Sequence, residues 1–495
     1  MAIYSAGRFG YNAGLMALPA KQLMQTEKQY RLNLHPAALN RTIAVLAAPA
    51  IFENLLFSMV FFADTLIVGW LRNENYLAAT ALASLTMFWT NAPIQAISIA
   101  TVSIVSRTLG ENDYASARRI AGHCLILTFA AVFAILAVGF PFAEWIIRLL
   151  NAEPPVIPLA AAYLRIVLVS SVFGLPLMVS NAVIRAKGDT ATPMFITLIM
   201  NLINIIASIL LAFGWGPIPA MGLYGVAWGT VLARNIGGAL SLAVLISSKH
   251  GIGLHIRDFV PLHRRIFARI WHVAYPAIAE RVLNSTSYAF FMGMVASLGT
   301  TVLAAHQIAL NVESLAFMPA FGMGVAITTI FGQAVGSGRW RIGQITVKRA
   351  IIFSGTAGIL LSLLFALAAP YGVKVFRATP EVRRLAGLAL QIAALELPLF
   401  TLTFVFMGAL RGAGDTRSPL YVNVACILLL RLPATWLLAF VLKMGIAGVW
   451  IATALDWAGR SLGLGLVFRR GIWKKIHHLE KQKFAETAIP VSPEP

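Results

Sequence analysis

Charge is what this 495-residue chain has least of: Asp, Glu, Lys and Arg together make up 12% of it, against about 25% in soluble globular domains. Cysteine is nearly absent. The two present, Cys124 and Cys426, both sit in apolar runs, which excludes a disulfide scaffold and leaves them as small packing residues. No GxxxxGK[ST] segment is present, so there is no phosphate loop, and neither metal-ligand spacing nor a nucleophile arrangement points to an enzyme or a bound cofactor. Acids are scarcer than bases, 19 against 39, for a net charge of +20. What fills the space is 59% hydrophobic residues at a mean hydropathy of +0.78. Such a chain takes the bilayer as its solvent, and its basic excess is explained by membrane topology rather than by nucleic-acid binding.

Twelve apolar segments are long enough to cross a bilayer as helices: 42–70, 77–105, 117–142, 156–182, 192–214, 221–247, 270–298, 302–330, 347–370, 385–410, 419–442 and 445–468. They are too continuously apolar for barrel strands. The basic residues orient them. Of the 39, 27 fall in or beside the N-terminus, the loops after segments 2, 4, 6, 8 and 10, and the C-terminus, against 7 in the alternate loops. Both termini are therefore expected in the cytoplasm. The loop after segment 9, with Lys374, Arg377, Arg383 and Arg384, runs against the trend.

The chain repeats itself. RAKGDTATP at 185–193 returns as RGAGDTRSP at 411–419, LAATALAS from Leu77 as LAAHQIAL from Leu303, and Gly110 of RTLGEND as Gly336 of QAVGSGR, all at one offset. One residue further, Pro49-Ala-Ile-Phe-Glu53 pairs with Pro276-Ala-Ile-Ala-Glu280. Two parallel six-helix repeats follow, with a substrate pathway expected at their seam. The expected organisation is a cytoplasmic segment 1–41, an N-terminal lobe 42–247, a basic linker 248–269 carrying His250, His255 and His263, a C-terminal lobe 270–468 and a cytoplasmic tail 469–495. In the GDT motifs Gly188 and Gly414 suit turns, and Asp189 and Asp415 suit helix caps.

Taken in order, PAIFENLLFSMVFFADTLIVG, SRTLGENDYASARR, RAKGDTATP, AAHQIALNVESLAFMP, FGQAVGSGR and GALRGAGDTRSP resemble the multidrug and toxic compound extrusion (MATE) family of secondary transporters over about residues 40–470. The resemblance implies an all-α integral membrane protein, a V-shaped pair of pseudo-symmetric six-helix lobes in the plasma or inner membrane, working as a monomer. It implies an antiporter that exports organic cations in exchange for protons or sodium by alternating access, and no enzyme activity.

Six of the nineteen acids fall inside the segments: Glu53, Asp64, Glu280, Glu313, Glu396 and Asp456. Charge in hydrocarbon is costly, so each needs a partner or a use. Asp64 stands about three helical turns beyond Glu53 with no charge between, deep in the bilayer. By the resemblance it occupies the helix 1 aspartate used in cation coupling, with Asn204 and Thr230 as its polar partners. Ser208 departs from the pattern, standing where family members often carry Asp or Asn. One carboxylate fewer weakens a sodium cage and favours protons. Glu280 and Asn284, one turn apart, are candidates to face the cavity. Glu53 is expected to hydrogen-bond at the seam, and Glu396, ahead of Pro398, to substitute for a family acid one turn away. Asp456 and Arg460 read as an i, i+4 pair with Arg431 available to join them. Gln307 beside Glu313, and the aromatic residues Trp89 and Phe61, complete the candidate cavity for cation–π binding. The alternative, a flippase for a lipid-linked oligosaccharide or other amphipathic anionic precursor, requires several arginines facing the cavity.

Overall fold

The computed structural model describes residues 32, 34–217, 219–247, 251–376 and 378–485. Twelve long helices run to and fro: α1 (Leu39–Trp70), α2 (Glu74–Gly110), α3 (Tyr114–Gly139), α4 (Ile157–Val169 continuing as Ser171–Lys187), α5 (Ala191–Phe213), α6 (Leu223–Ile246), α7 (Arg264–Ser297), α8 (Thr300–Gly336), α9 (Trp340–Gly372), α10 (Pro380–Ala393 continuing as Leu397–Gly412), α11 (Arg417–Val441) and α12 (Ile446–Arg470). A thirteenth, α13 (Ile472–Ala485), follows. Among the described residues, nine helices are long and apolar enough to cross a bilayer, ten with the bent α4 taken as one span. The other two, α7 and α12, have the length, 34 and 25 residues, but each carries a buried acid and an arginine, Glu280 with Arg281 and Asp456 with Arg460. Of the expected cytoplasmic N-terminal segment, residues 1–31 and 33 lie outside the described residues, as do His250 of the linker and residues 486–495 of the tail.

Local chemistry sets the boundaries. Asp113 and Asn73 cap α3 and α2, accepting from Ser116 N at 2.9 Å and Asn75 N at 3.0 Å. Asp189 caps α5 by accepting from Thr192 N at 2.9 Å, and its repeat mate Asp415 caps α11 by accepting from Ser418 N at 2.9 Å. Gly188 and Gly414 take φ of +103° and +92°, a region that penalises any β-carbon. Prolines interrupt the ladder at matched places, Pro49 in α1 with Pro276 in α7, and Pro93 in α2 with Pro319 in α8. Around Pro433, α11 widens into π-helical turns at Ile427–Arg431 and Trp436–Val441, a form common at functional sites.

The two pseudo-symmetric halves interlock at one end of the bundle, the end that carries the basic loops. Apolar residues at the start of α1 (Ile43, Leu46, Ala47) pack into the core of α8, α10 and α12, while those at the start of α7 (Ile270, Val273, Ala274) pack into the core of α2, α3 and α4. Gly110 of α2 lies against the backbone of Gln333, and Gly336 of α8 against the backbone of Arg107, so closely that a β-carbon at either would collide. Arg107 donates to Ala413 O at 3.3 Å, and Gln333 donates to Ala186 O at 2.8 Å and Lys187 O at 3.2 Å. Each half thus sends a long polar side chain to the carbonyls ahead of the other half's GDT turn.

α13 locks this end. Trp473 is fully buried among Phe331, Phe468 and Trp340. Glu480, 5% exposed, accepts from Arg107 at 2.7 and 3.1 Å and from Arg269 at 3.3 Å. Burial alone would push its carboxyl up. The two guanidiniums outweigh that and hold it at about 2.

Candidate functional site

A cavity of about 850 Å³ lies between the halves, within the range of small-molecule sites. Its lining begins beside the interlocked end, at Arg185 and Arg411, and runs away from it along α2 past Trp89 to Leu85. Trp89, Glu280 and Asn284 line it as the sequence suggests, together with Phe88, Tyr288, Phe321, Phe404 and Trp457.

Glu280 is not a free carboxylate. It accepts from Arg411 at 2.9 and 3.1 Å and from Asn423 at 2.7 Å. Its repeat mate Glu53 accepts from Arg185 at 2.8 Å and Asn181 at 3.3 Å, so Glu53 stands behind the wall as a seam contact rather than as a lining residue. Arg185 and Arg411 themselves occupy equivalent positions in the two GDT motifs. At the far side, Asp456 is fully buried and pairs with Arg460 at 3.0 Å and Arg431 at 3.1 Å.

Two expected cavity residues are elsewhere, and a third is not among the described side chains. Gln307 is exposed on the outer surface: its neighbour His306 is buried against Phe291 and Trp450, and one residue further turns the side chain about 100° away. Glu396 lies in the break of α10 that Pro398 enforces, fully buried beside Glu313 and behind the wall. The side chain of Phe61 lies outside the described residues.

A second polar site sits inside the N-terminal half. α5 and α6 touch so closely at Ser208 and Gly229 that a β-carbon on the glycine would collide, which brings Asn204 and Thr230 together. The Thr230 hydroxyl lies 3.1 Å from both Asp64 Oδ2 and Val226 O and donates its one proton to either, and Asn204 donates to Thr230 Oγ1 at 3.2 Å. All three are buried, Asp64 at 9% exposed, and Asp64 Oδ1 and Asn204 Oδ1 have no hydrogen-bond partner among the described residues. Ser208 does not join them; its hydroxyl donates to Val226 O at 3.4 Å. Arg234, one turn beyond Thr230 on α6, and Tyr163 of α4 lie within electrostatic range of Asp64. Arg234 also lines a small side cavity with Phe57, Asn91 and Met200. Its i, i+4 spacing from Thr230 is the sequence signal for this neighbour. Among the described residues no cluster of His, Cys, Asp and Glu could hold a metal ion.

The MatE family's sequence profile matches the chain twice, at residues 49–210 and 276–437, the two halves found above. A probable multidrug resistance protein NorM of Thermotoga maritima is 28% identical over 457 residues, 90% of this chain and 96% of that one. Among solved structures, a MATE protein in its bent conformation superposes with a TM-score of 0.83 at 20% identity, over 92% of this chain and 99% of the other. A MOP-superfamily transporter of Pyrococcus furiosus, described as having a binding pocket of reverse polarity, superposes at 0.82 with 21% identity, over 91% and 99%. The repeated profile, the twelve-helix architecture and the interlocked halves agree: the chain belongs to the MatE family, integral membrane transporters of drug-efflux type and not enzymes.

Proposed function

We propose that this protein exports amphipathic small molecules by alternating access, as a monomer, in exchange for protons taken up at Asp64. The observation that carries the reading is the Asp64 site: a buried carboxylate held by one hydroxyl donor, with its second oxygen unpartnered. Sodium is the poorer fit, because hard cations gather about six oxygens and Ser208 turns its hydroxyl to the Val226 carbonyl instead. By the distribution of basic residues the interlocked end faces the cytoplasm of a plasma or inner membrane, which leaves the cavity reached from outside.

The cycle follows from the hydrogen bonds. A proton arriving on Asp64 cancels the charge that Thr230 and Arg234 answer to, so α1 loses its electrostatic tie to α5 and α6 and the N-terminal half repacks, releasing the substrate. Loss of the proton to the cytoplasm restores the tie. Binding competition carries the energy, with no covalent step. The relative in Thermotoga maritima is named a probable multidrug resistance protein, which supports a drug-like substrate. Organic cations, the class the resemblance implies, meet one lining carboxylate, Glu280, already bound to Arg411 and Asn423.

The test is proton movement in proteoliposomes holding an internal pH dye, challenged with a panel of amphipathic cations, zwitterions and anions. At least one substrate is expected to drive proton flux that Asp64→Asn abolishes. Flux driven only by a sodium gradient, or transport unchanged in Asp64→Asn, overturns the reading.

A further inference from the structure

The wall of the central cavity carries five guanidinium groups, those of Arg185, Arg281, Arg411, Arg431 and Arg460, and one carboxylate, Glu280. In the paired ones the arginine is the member on the cavity side. Side-chain exposure is 14% for Arg185 against 11% for Glu53, 18% for Arg411 against 7% for Glu280, and 14% and 7% for Arg431 and Arg460 against 0% for Asp456. A solute entering the cavity therefore meets five guanidiniums and one carboxylate, Glu280, which is less exposed than the Arg411 it binds, while Glu53 and Asp456 lie behind.

Arg281 makes no ion pair among the described residues. Its guanidinium lies over the Phe88 ring at 4.8 Å, and its buried Nε, like those of Arg185 and Arg411, has no acceptor. A buried charged donor left unpaired is costly, and an anion relieves that cost. The same arginines also occupy the aromatic faces on which a cation would rest. Arg460 sits over Trp457 at 4.7 Å with Arg431 at 6.0 Å from the same ring. Glu313 and Glu396 lie behind the wall near Arg431 without reaching the lining.

We infer that the substrate is an amphipathic organic anion. A carboxylate, sulfonate or phosphate head is received between Arg281 and Arg411, with the apolar body against Trp89, Phe321 and Phe404. The inference rests on the proposal that this cavity carries an exported small molecule, and it names the charge of that molecule. The head group is shared by soluble aryl anions and by anionic lipids.

The experiment is equilibrium binding to the full chain in nanodiscs, empty discs subtracted, with 8-anilinonaphthalene-1-sulfonate as the anion and ethidium as the cation. Saturable sulfonate binding at least tenfold tighter than ethidium is expected. Arg281→Gln should weaken it about tenfold or more, since a charged hydrogen bond is lost, while Arg281→Lys retains most of it and both variants keep the wild-type melting temperature. Glu280→Gln, which frees Arg411, separates the two signs: it leaves sulfonate binding unchanged or tighter, whereas a cation site would lose affinity. Competition by dioctanoyl phosphatidate but not by naphthalene sulfonate assigns the anion to lipid, and the converse assigns it to a soluble compound. Tighter ethidium binding that Glu280→Gln weakens, sulfonate binding indifferent to Arg281→Gln, or saturable binding of neither probe overturns the inference. No gradient is imposed, so proton-driven cation transport would sink this inference and leave Asp64 coupling standing. Sulfonate binding with transport indifferent to Asp64 does the reverse.

Discussion

Replacing Glu480 by Gln removes one negative charge from between the buried guanidinium of Arg107 and the partly exposed one of Arg269 and leaves both behind. Two routes give the size of the loss. Breaking a buried ion pair by deleting one partner costs about 3–5 kcal/mol. Independently, a carboxyl held at about 2 in the fold against about 4.3 in an unfolded chain stabilises the fold by roughly 3 kcal/mol at neutral pH, because a tenfold change in proton affinity is worth about 1.4 kcal/mol. The sign fixes the window. Because the folded carboxyl binds its proton more weakly than the unfolded one, the contribution is complete above about pH 4.5 and is lost as pH falls toward about 2. Unfolding by SDS in mixed micelles, followed by tryptophan fluorescence, should show E480Q less stable than wild type by about 3 kcal/mol at pH 7, with the gap narrowing as the pH is taken down through about 4. A loss below about 1 kcal/mol at pH 7 would refute the reasoning, because it would place Glu480 with exposed surface pairs despite its 5% exposure.

Gly336→Ala should abolish transport while leaving each half folded, since the added carbon collides with the Arg107 carbonyl and closure at the basic end is lost; thermal stability that falls with no change in the accessibility of that end would contradict it. Asp456→Asn should cost about 3–5 kcal/mol of SDS-unfolding stability, because Arg431 and Arg460 both lose their counter-charge, and Asp456→Asn combined with Arg460→Gln should recover part of it. Trp473→Ala should destabilise by about 3–5 kcal/mol, measured in the same micelles, since its ring is fully buried against Phe331, Phe468 and Trp340.

What is legible in the sequence depends on local periodicity and on the repeat. Twelve apolar runs at helical length identify the spans, because hydrocarbon admits little else, and α1 runs to Trp70 as the pattern indicates. The grouping of Asp64 with Asn204 and Thr230 is legible only through the family resemblance, which marks the last two as polar partners of the helix 1 aspartate. The polarity of the cavity is not legible: Arg185 and Arg411 read as loop residues because the apolar runs stop at 182 and 410, whereas the helices continue to Lys187 and Gly412 and bring both guanidiniums to the cavity wall. Gln307 and Glu396 fail for a related reason. Facing depends on a helix's rotation within the bundle, which one residue of register or a proline break alters by about 100°. Glu480 is invisible in an amphipathic tail, although Arg107 and Gln333, at the repeat offset beside Gly110 and Gly336, already mark the end it locks.

The reciprocity of that end sets a bound on how the protein can work. Arg107 and Gln333 make matched contacts with the opposite half, so closure is shared between two seals of similar construction. Glu480 is the asymmetric addition: among the described residues after α6 the chain tucks back at Gly251 against Val244 and Leu245, and the buried acid there, Asp258, pairs with Arg118 of its own half at 3.7 Å. Opening the cavity at this end must break the matched seals and either break or carry along the Glu480 pairs. Driving a two-state equilibrium from 1:99 to 99:1 takes about 5.5 kcal/mol of differential binding, and the Glu480 pairs add to the closed-state bias that a ligand and a proton together must overcome. α13 and α12 are joined by a single turn at Gly471, and Trp473 ties α13 to the C-terminal half, so the helix moves with that half and the bonds that must yield are those to Arg107 of α2 and to Arg269, at the start of α7 that packs into the N-terminal core. The lock therefore yields at guanidiniums of α2 and α7, the two helices that also place Trp89 and Arg281 on the cavity wall, which couples opening of the basic end to the geometry of the binding surface.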